Sequence, residues 1–347
     1  MPYLVELVAP RDVGIRSFDL PEPAAGEVRV ATLYSGISAG TELTTYRGSN
    51  PYLNKRWDAD AALFRDGGAS LHYPVDVWGY SEVGRVEDVG ADVTALAVGD
   101  TVWGIWGHRS HAVLPGQVLA THRLPAGLNP VVGTFDRVGA VALNAVLAAG
   151  VNLGETVVVF GLGVIGLLTV QLLVSAGATV YAVDTVADRL ALAARFGAEP
   201  VRPDDGDVAS RIAEATSGRG ADRVIELTGA YPALHQAVRT AGRDGEVVAA
   251  GFYQGPATAL ALGEEFHHNR VTIRASQIGA VPAHLQGRWT RERLHETVME
   301  LCARGRMDPA PLVSHVIPAR DAAAAYAMLD APPPGLLQVV LDFQEPS

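Results

Sequence analysis

Cysteine is nearly missing: there is one, Cys302, in a chain of 347 residues. A lone thiol excludes an internal disulfide, suits a reducing cytosol and reads as a small buried hydrophobe. Charge is also sparse. Charged residues make up 19% of the chain, with a formal net charge of −11 and no basic cluster. That balance excludes nucleic acid and an anionic membrane as expected partners. Residues 1–11 lack both a basic start and a long apolar run, so no secretory leader is expected and the expected location is cytoplasmic. Internal repeats and low-complexity segments are absent, and the alanine run at 322–325 is ordinary helix composition. Apolar material is abundant at 48% of residues, enough for a sizeable core and about two domains. One stretch, 157–174, is apolar enough to suggest a membrane span. Glycines in a turn pattern interrupt it, and it reads instead as a buried strand, a turn and a core-facing helix.

That turn is the most informative segment. Gly161, Leu162, Gly163, Val164, Ile165 and Gly166 form a G-x-G-x-x-G pattern between a β-rich run and a helical one. The first glycine permits the tight turn, the second lets backbone approach a pyrophosphate, and the third lets helix and strand pack closely. Unpaired N–H groups at the start of the helix would then face the phosphates. A second β-run, 179–183, ends in Asp184 about twenty residues on. A carboxylate there accepts hydrogen bonds from a ribose and repels a 2′-phosphate. Together they predict a dinucleotide site, and NAD rather than NADP. Thr185 and Val186 follow without a basic residue, and Arg189 lies one helical turn later.

Around this turn, strands are expected over 156–160, 179–183, 223–226, 245–250 and 271–275, alternating with helices over 164–176, 187–196, 208–217 and 232–240. The alternation predicts an α/β fold, a Rossmann domain with a doubly wound parallel sheet. Before residue 130 the pattern changes to short β-like runs at 26–34, 81–89 and 100–106, as in an antiparallel β-domain. The stretch 49–73 is polar, irregular and long for a loop; loops of that length are more often functional than not, with disorder as the alternative. Folded inward, Asn54, Lys55, Arg56, Trp57 and Arg65, with Tyr46 and Arg47, would give a polar lining suited to a polyol, cyclitol or sugar; a solvated loop is the alternative. The end of the chain adds helices at 292–303 and 322–329 and a last strand at 338–343.

Four further segments carry a likeness. Ser35 to Leu43, read S-G-I-S-A-G-T-E-L, is similar to a G-[IV]-C-G-[ST]-D-L segment. Gly79 to Gly84, followed by Val86 and Gly90, is similar to G-H-E-x-x-G-x-V…G. Val98 to Val102 matches V-G-D-x-V, and Ala149-Gly150-Val151 leads into the glycine turn. In this order they resemble the medium-chain dehydrogenase/reductase family, alcohol dehydrogenase-like, over essentially the whole chain. The resemblance implies a discontinuous, GroES-like antiparallel β-domain formed by residues 1–130 and by a return segment, 276–347, around a dinucleotide-binding domain of 131–275. It also implies that Thr228, Gly251 and Phe252 flank the adenosine and nicotinamide ends. The implied protein is an NAD-dependent oxidoreductase with a small-molecule substrate, working as a homodimer.

Zinc-dependent members hold their metal through three protein ligands, with a fourth position open for the substrate oxygen. In this chain those positions fall on Ser38 or Ala39, on Tyr80 with Ser81 beside it, and near Asp136-Arg137. A four-cysteine structural lobe cannot form with one cysteine. The resemblance thus runs to a zinc-less branch that includes the hydroxyethyl-bacteriochlorophyllide dehydrogenases, with Ser276-Gln277 and the stretch 287–293 in common, and no metal is expected. His108 and His111 sit in a loop-to-strand segment whose geometry puts them on opposite faces, and His267-His268 reads as solvent- or substrate-facing. Without a metal, a side chain must move the hydroxyl proton. The candidates are Tyr80, Glu42, Thr41, Asp136 and His108. Tyr80 leads because it replaces a ligand aimed at substrate, with filling the metal pocket as its alternative. Glu42 matches a family acid with a structural role, and Gln338 stands where the family often has a basic residue reaching the pyrophosphate. The expected reaction is hydride transfer between nicotinamide and a secondary alcohol or ketone. A redox-neutral epimerase that keeps its NAD, and a non-catalytic NAD-binding protein, are the alternatives.

Overall fold

The computed structural model describes residues 1–344. The chain divides into two units, Met1–Arg137 with Ala310–Ser347, and Val138–Pro309. In the first, the sheet runs in the order Val313–Pro318, Gln338–Asp342, Glu27–Gly36, Glu82–Val89, Thr101–Gly104, and His111–Pro115 also pairs with Glu27–Gly36. Most pairs are antiparallel; the last two strands of the chain are parallel to each other. Register matters here, because Ser35 lies directly opposite Glu82 on adjacent strands and their side chains share a face. The core of this unit brings Leu43 and Tyr46 of the helix Ala39–Tyr46 against Ala322, Ala325 and Tyr326 of the helix Ala322–Asp330. Tyr46 and Tyr326 stack with ring centroids 5.6 Å apart. The two ends of the chain therefore close one hydrophobic core.

The second unit holds a six-stranded, wholly parallel sheet in the order Glu199–Val201, Thr179–Val183, Thr156–Phe160, Ala221–Glu226, Ala241–Ala249, Thr272–Ala275. Read by chain order this is 3-2-1-4-5-6, the doubly wound arrangement whose direction reverses beside the first strand. Its central strand, Thr156–Phe160, is buried at every residue, as the continuous apolar run requires. The tempting stretch 157–174 is thus strand, turn and helix. Among the described residues one helical stretch, Pro130–Ala149, is long and apolar enough to cross a membrane, and 72% of its apolar 18-residue span is buried within the protein.

The structure differs from the sequence reading in several places. The second unit continues to Pro309, beyond residue 276 where the chain was expected to return. Asn144 binds the backbone of Gln277 and Ala280, and Val298 of the helix Arg291–Ala303 fits against Gly139, which keeps that segment with the dinucleotide fold. A short edge strand, Glu199–Val201, was not expected. The stretch 49–73 is not an irregular loop: it holds an antiparallel hairpin, Lys55–Asp58 with Leu63–Asp66. Trp57 faces Phe64 across it at 5.0 Å, and Lys55 pairs with Asp66 at 3.5 Å. Both feet are tied to the same helix turn: Asn50 donates to Thr44 and Thr45, and the Tyr73 hydroxyl donates to the Thr45 carbonyl. Asn54, Lys55, Arg56, Trp57 and Arg65 are exposed, so they do not form the inward polar lining. Tyr46 is instead part of the core and Arg47 pairs with Asp330.

Candidate active site

The chemistry-bearing side chains of the first unit gather around the start of the helix Ala39–Tyr46. Ser38 caps it in an extended conformation, and its N–H is held by Glu42 Oε1 at 2.9 Å. An acid reaching back to the cap satisfies a donor the helix leaves unpaired and suits the positive end of the helix dipole. The other oxygen, Glu42 Oε2, accepts the Tyr326 hydroxyl at 2.5 Å and lies 3.0 Å from His108 Nε2. His108 Nδ1 lies 2.6 Å from Ser35 Oγ, which donates to Glu82 Oε1 at 2.8 Å. Glu82 further accepts the backbone N–H groups of Ser81, Trp106 and Gly107. Glu42 and His108 are each 1% exposed and Glu82 is fully buried, so no substrate reaches them.

Tyr80 sits at the margin of this cluster, half-buried, with its hydroxyl bonded to Ser38 Oγ. Burial and then the Glu42 charge push its phenol up to about 12, against the pull of Ser38, Thr41 and Arg137. Tyr80 therefore holds its proton at neutral pH. Burial pushes the His108 imidazole down, but Glu42 and Glu82 outweigh it and leave the group above its ordinary value. Burial also raises the Glu82 carboxyl, with His108 and its hydrogen-bond donors opposing.

Of the five residues expected to move a proton, the structure brings Tyr80, Thr41, Glu42 and His108 together. Only Thr41, exposed, and Tyr80, half-buried, present a hydroxyl that a substrate could touch. Asp136 is fully buried at the start of the helix Asp136–Ala149; its neighbour Arg137 is the residue whose charge acts on Tyr80. Ser35, Glu82 and Tyr326 were missed. Glu82 carried a faint signal, an acid inside a strand-like run next to Val83 and Val86; a tyrosine in an alanine-rich helix carried none. Gln338 is buried and donates to the Ile37 and Val339 carbonyls, holding strand to helix entry within this unit.

The glycine turn lies in the second unit, at the carboxyl end of the central strand. Gly161 has φ +89°, a left-handed conformation that other residues adopt only with strain. A Cβ on Gly166 would stand 1.9 Å from the Gly161 carbonyl, whereas one on Gly163 would meet nothing within 4 Å. The third glycine thus permits the close helix crossing, and the second faces open space in front of the helix Val164–Ser175. Leu162 is buried, and Val164 and Ile165 are half-buried in the first turn. Asp184 Oδ2 accepts the Leu162 N–H at 2.7 Å and Oδ1 the Val186 N–H at 2.8 Å, which fixes the carboxylate at the turn. Thr185 is exposed beside it, and Arg189 Nη1 lies 3.9 Å away. On the neighbouring strand end, buried Glu226 gathers the Thr228 and Gly229 N–H groups and the Tyr253 hydroxyl. Gly251 passes so close to Gly229 that a Cβ would be 2.3 Å from its nitrogen, and Phe252 beyond it is 46% exposed. An open-faced glycine, a helix start and an anchored carboxylate fit a dinucleotide.

Residues 164–300 match the family described as zinc-binding dehydrogenase. The chain is 30% identical to the D-guloside 3-dehydrogenase of Shigella flexneri, over 92% of this chain and 93% of that protein. Among solved structures, 2R,3R-butanediol dehydrogenase from Bacillus subtilis matches with a TM-score of 0.80, covering 99% of each chain at 24% identity. A dehydrogenase structure from Sinorhizobium meliloti 1021 bound to NADP matches at 0.78, with 99% of each chain covered and 23% identity.

The raised His108 value has a measurable consequence. Folded protein keeps that proton at pH values where the unfolded chain has released it. The stabilisation is therefore complete below the ordinary imidazole value of 6.5 and is lost as pH rises toward and through the folded value. Urea unfolding from pH 6.5 upward should show stability falling by up to about 1.4 kcal/mol per pH unit from this group. The slope should flatten in His108→Asn. An unchanged slope in that variant would assign the dependence elsewhere.

Proposed function

The chain belongs to the medium-chain zinc-binding dehydrogenase family, alcohol dehydrogenase-like, and on that premise we propose a zinc-independent, NAD-preferring oxidoreductase. As an NAD(P)-dependent alcohol or polyol dehydrogenase of that family, it would move hydride between nicotinamide and a secondary alcohol or ketone. The substrate we favour is polar and sugar-like, because the relative noted above is named for oxidising a guloside.

The observation that carries the zinc-independent reading is the Tyr80–Ser38 hydrogen bond. A zinc site of this kind needs thiolate, imidazole or carboxylate ligands. At two of the family's three ligand positions stand hydroxyls bonded to each other, one of them a phenol raised to about 12, and near the third stands a single carboxylate, Asp136. His108 has both ring nitrogens engaged, and Cys302 is buried in the helix Arg291–Ala303 of the other unit. Among the described residues no group of three His, Cys, Asp or Glu is arranged to hold a metal ion. These residues do not fit zinc.

The dinucleotide would be held by Gly161, Leu162, Gly163, Val164, Ile165 and Gly166, with Asp184, Thr185 and Arg189 at the adenosine ribose and Thr228, Gly251 and Phe252 farther along the strand ends. When bound in its reduced form it supplies hydride to a carbonyl carbon. Tyr80 then exchanges its Ser38 bond for the substrate oxygen, polarises the carbonyl and gives its proton to the oxygen as charge develops there. A phenol that stays protonated at neutral pH suits this reducing direction. Thr41, exposed and within reach of the phenol, returns a proton from solvent.

Three measurements test this reading. Metal analysis should find well under one equivalent of zinc, and a chelator should leave turnover unchanged; stoichiometric zinc with chelator-sensitive turnover would refute zinc independence. Calorimetric titration should show NAD binding more tightly than NADP, because Asp184 opposes a 2′-phosphate by an amount on the order of a few kcal/mol. Asp184→Ala should narrow that gap, and tighter NADP binding to the native chain would overturn the assignment. Tyr80→Phe keeps the ring and removes the hydroxyl, so it should fold, bind NAD and lose about 10²–10⁴-fold in kcat. Near-native turnover on the true substrate would remove Tyr80 from the mechanism and leave Thr41 as the accessible hydroxyl.

A further inference from the structure

We infer that His108 is held as a permanent imidazolium, a buried cation between Glu42 and Glu82, and that it serves as the positioning residue for Tyr80. The charge follows from an inventory of donors. Trp78 Nε1 can only donate and gives its proton to the Tyr326 oxygen, so the Tyr326 O–H must go to Glu42 Oε2. Glu42 Oε1 takes the Ser38 N–H. Glu42 is then an acceptor on both oxygens, as suits an ionised carboxylate, and the proton on the 3.0 Å contact is assigned to His108 Nε2. On the other side, Glu82 takes backbone N–H groups on both oxygens, from Ser81 on Oε1 and from Trp106 and Gly107 on Oε2. Three backbone N–H groups and the Ser35 hydroxyl all point at Glu82, a donor set that suits an ionised carboxylate, and Ser35 donates to it. Ser35 has one proton and has spent it, so His108 Nδ1 must donate to Ser35. Both ring nitrogens carry hydrogen. Two buried carboxylates and one imidazolium leave the cluster with a single negative charge.

The positioning role rests on the Tyr80 reading above and follows from what the ring touches. Gly79, the residue before Tyr80, has φ +89°, and a Cβ there would stand 2.6 Å from the His108 ring. The His108 N–H donates to the Trp78 carbonyl at 2.5 Å. Residues 78–80 are therefore seated on His108 from two sides. Through Glu42, the same ring fixes the first turn of the helix whose cap, Ser38, holds the Tyr80 hydroxyl. Around His108 stand Glu42 and Tyr326 from helices, Ser35 and Glu82 from strands and Trp78 from the loop, and the strand Tyr3–Ala9 adds the Val5 N–H, which donates to the His108 carbonyl. Arg109, next in the chain, turns away to the Asp76 carbonyl. His108 does not touch substrate.

Long-range proton–nitrogen NMR on the native protein, with histidine labelled, reads the charge directly and needs neither substrate nor dinucleotide. Both His108 nitrogens should remain protonated from pH 6 to 9. One bare nitrogen, or a titration near the ordinary value, would overturn the assignment. For the positioning role, His108→Asn leaves Glu42 charged without its counter-ion and shifts the seat of Tyr80. It should lower kcat by about 10- to 100-fold while NAD affinity stays within twofold. The double variant Glu42→Gln with His108→Asn replaces the ion pair by two amides and should recover much of that loss, which a general loss of packing would not do. Native kcat in His108→Asn, or no recovery in the double variant, would refute positioning. If His108→Asn does not fold, the double variant and the NMR measurement decide. A silent Tyr80→Phe with both nitrogens protonated would remove the Tyr80 reading and its positioning residue, while the buried cation would stand.

Discussion

Two carboxylates buried in the first unit set the terms for everything around them. An ionised carboxylate removed from water costs several kcal/mol unless its oxygens are filled with donors and a counter-charge stands close. Glu42 meets that demand with the Ser38 N–H, the Tyr326 hydroxyl and His108. Glu82 meets it with three backbone N–H groups and Ser35. The donors come from a helix cap, one strand, the residue before a second strand, the segment before a third and a helix near the chain's end. Withdrawing any one leaves a buried charge partly unpaired, so the elements are bound to one arrangement more firmly than apolar packing alone would bind them. The return of the chain to place Tyr326 in this network is part of the same constraint.

The dinucleotide fold was legible because its requirements are local. A left-handed glycine at Gly161, a crossing too close for any side chain at Gly166 and an acid at the next strand end are steric and electrostatic needs written within about 25 residues. Strand and helix periods around them gave the parallel sheet. The boundary at residue 276 was not legible, because what keeps that segment with the second unit is long-range: Asn144 reaching the Gln277 and Ala280 carbonyls and Val298 fitting a glycine groove. The hairpin at 55–66 was hidden for a different reason. Its strands are four residues each, polar and exposed, and their pairing depends on Trp57 meeting Phe64 across the turn, which no alternation of polar and apolar residues announces.

The site was legible residue by residue but not as a network. Tyr80, Thr41, Glu42 and His108 were each suspected from their places in motifs, yet the sequence does not say which are accessible. Burial sorts them: Glu42 and His108 serve one another, and Thr41 and Tyr80 remain at the edge. Asp136 drew attention as a candidate to move the proton, but the residue acting on Tyr80 from there is Arg137. Ser35, Glu82 and Tyr326 stand 73, 24 and 284 residues from their partners His108, Trp106 and Glu42. Only the strand register and the packing of the two chain ends bring such pairs together.

A metal ion positions as well as activates: its ligands are held by strong, directional bonds, and the substrate oxygen inherits their geometry. A phenol and a serine hydroxyl make weaker bonds and rotate freely. If they replace that centre, the rigidity must come from elsewhere. On that reading it comes from behind Tyr80 and Ser38, where a charged hydrogen-bonded chain fixes the helix start that carries Ser38 and the backbone turn that carries Tyr80. The same charge serves the chemistry. Burial first and the Glu42 charge second raise a phenol that is already protonated at neutral pH, and His108 limits the Glu42 field by pairing with it. Holding the donor in place and raising its phenol further are thus two effects of one buried network, neither requiring that network to touch the substrate.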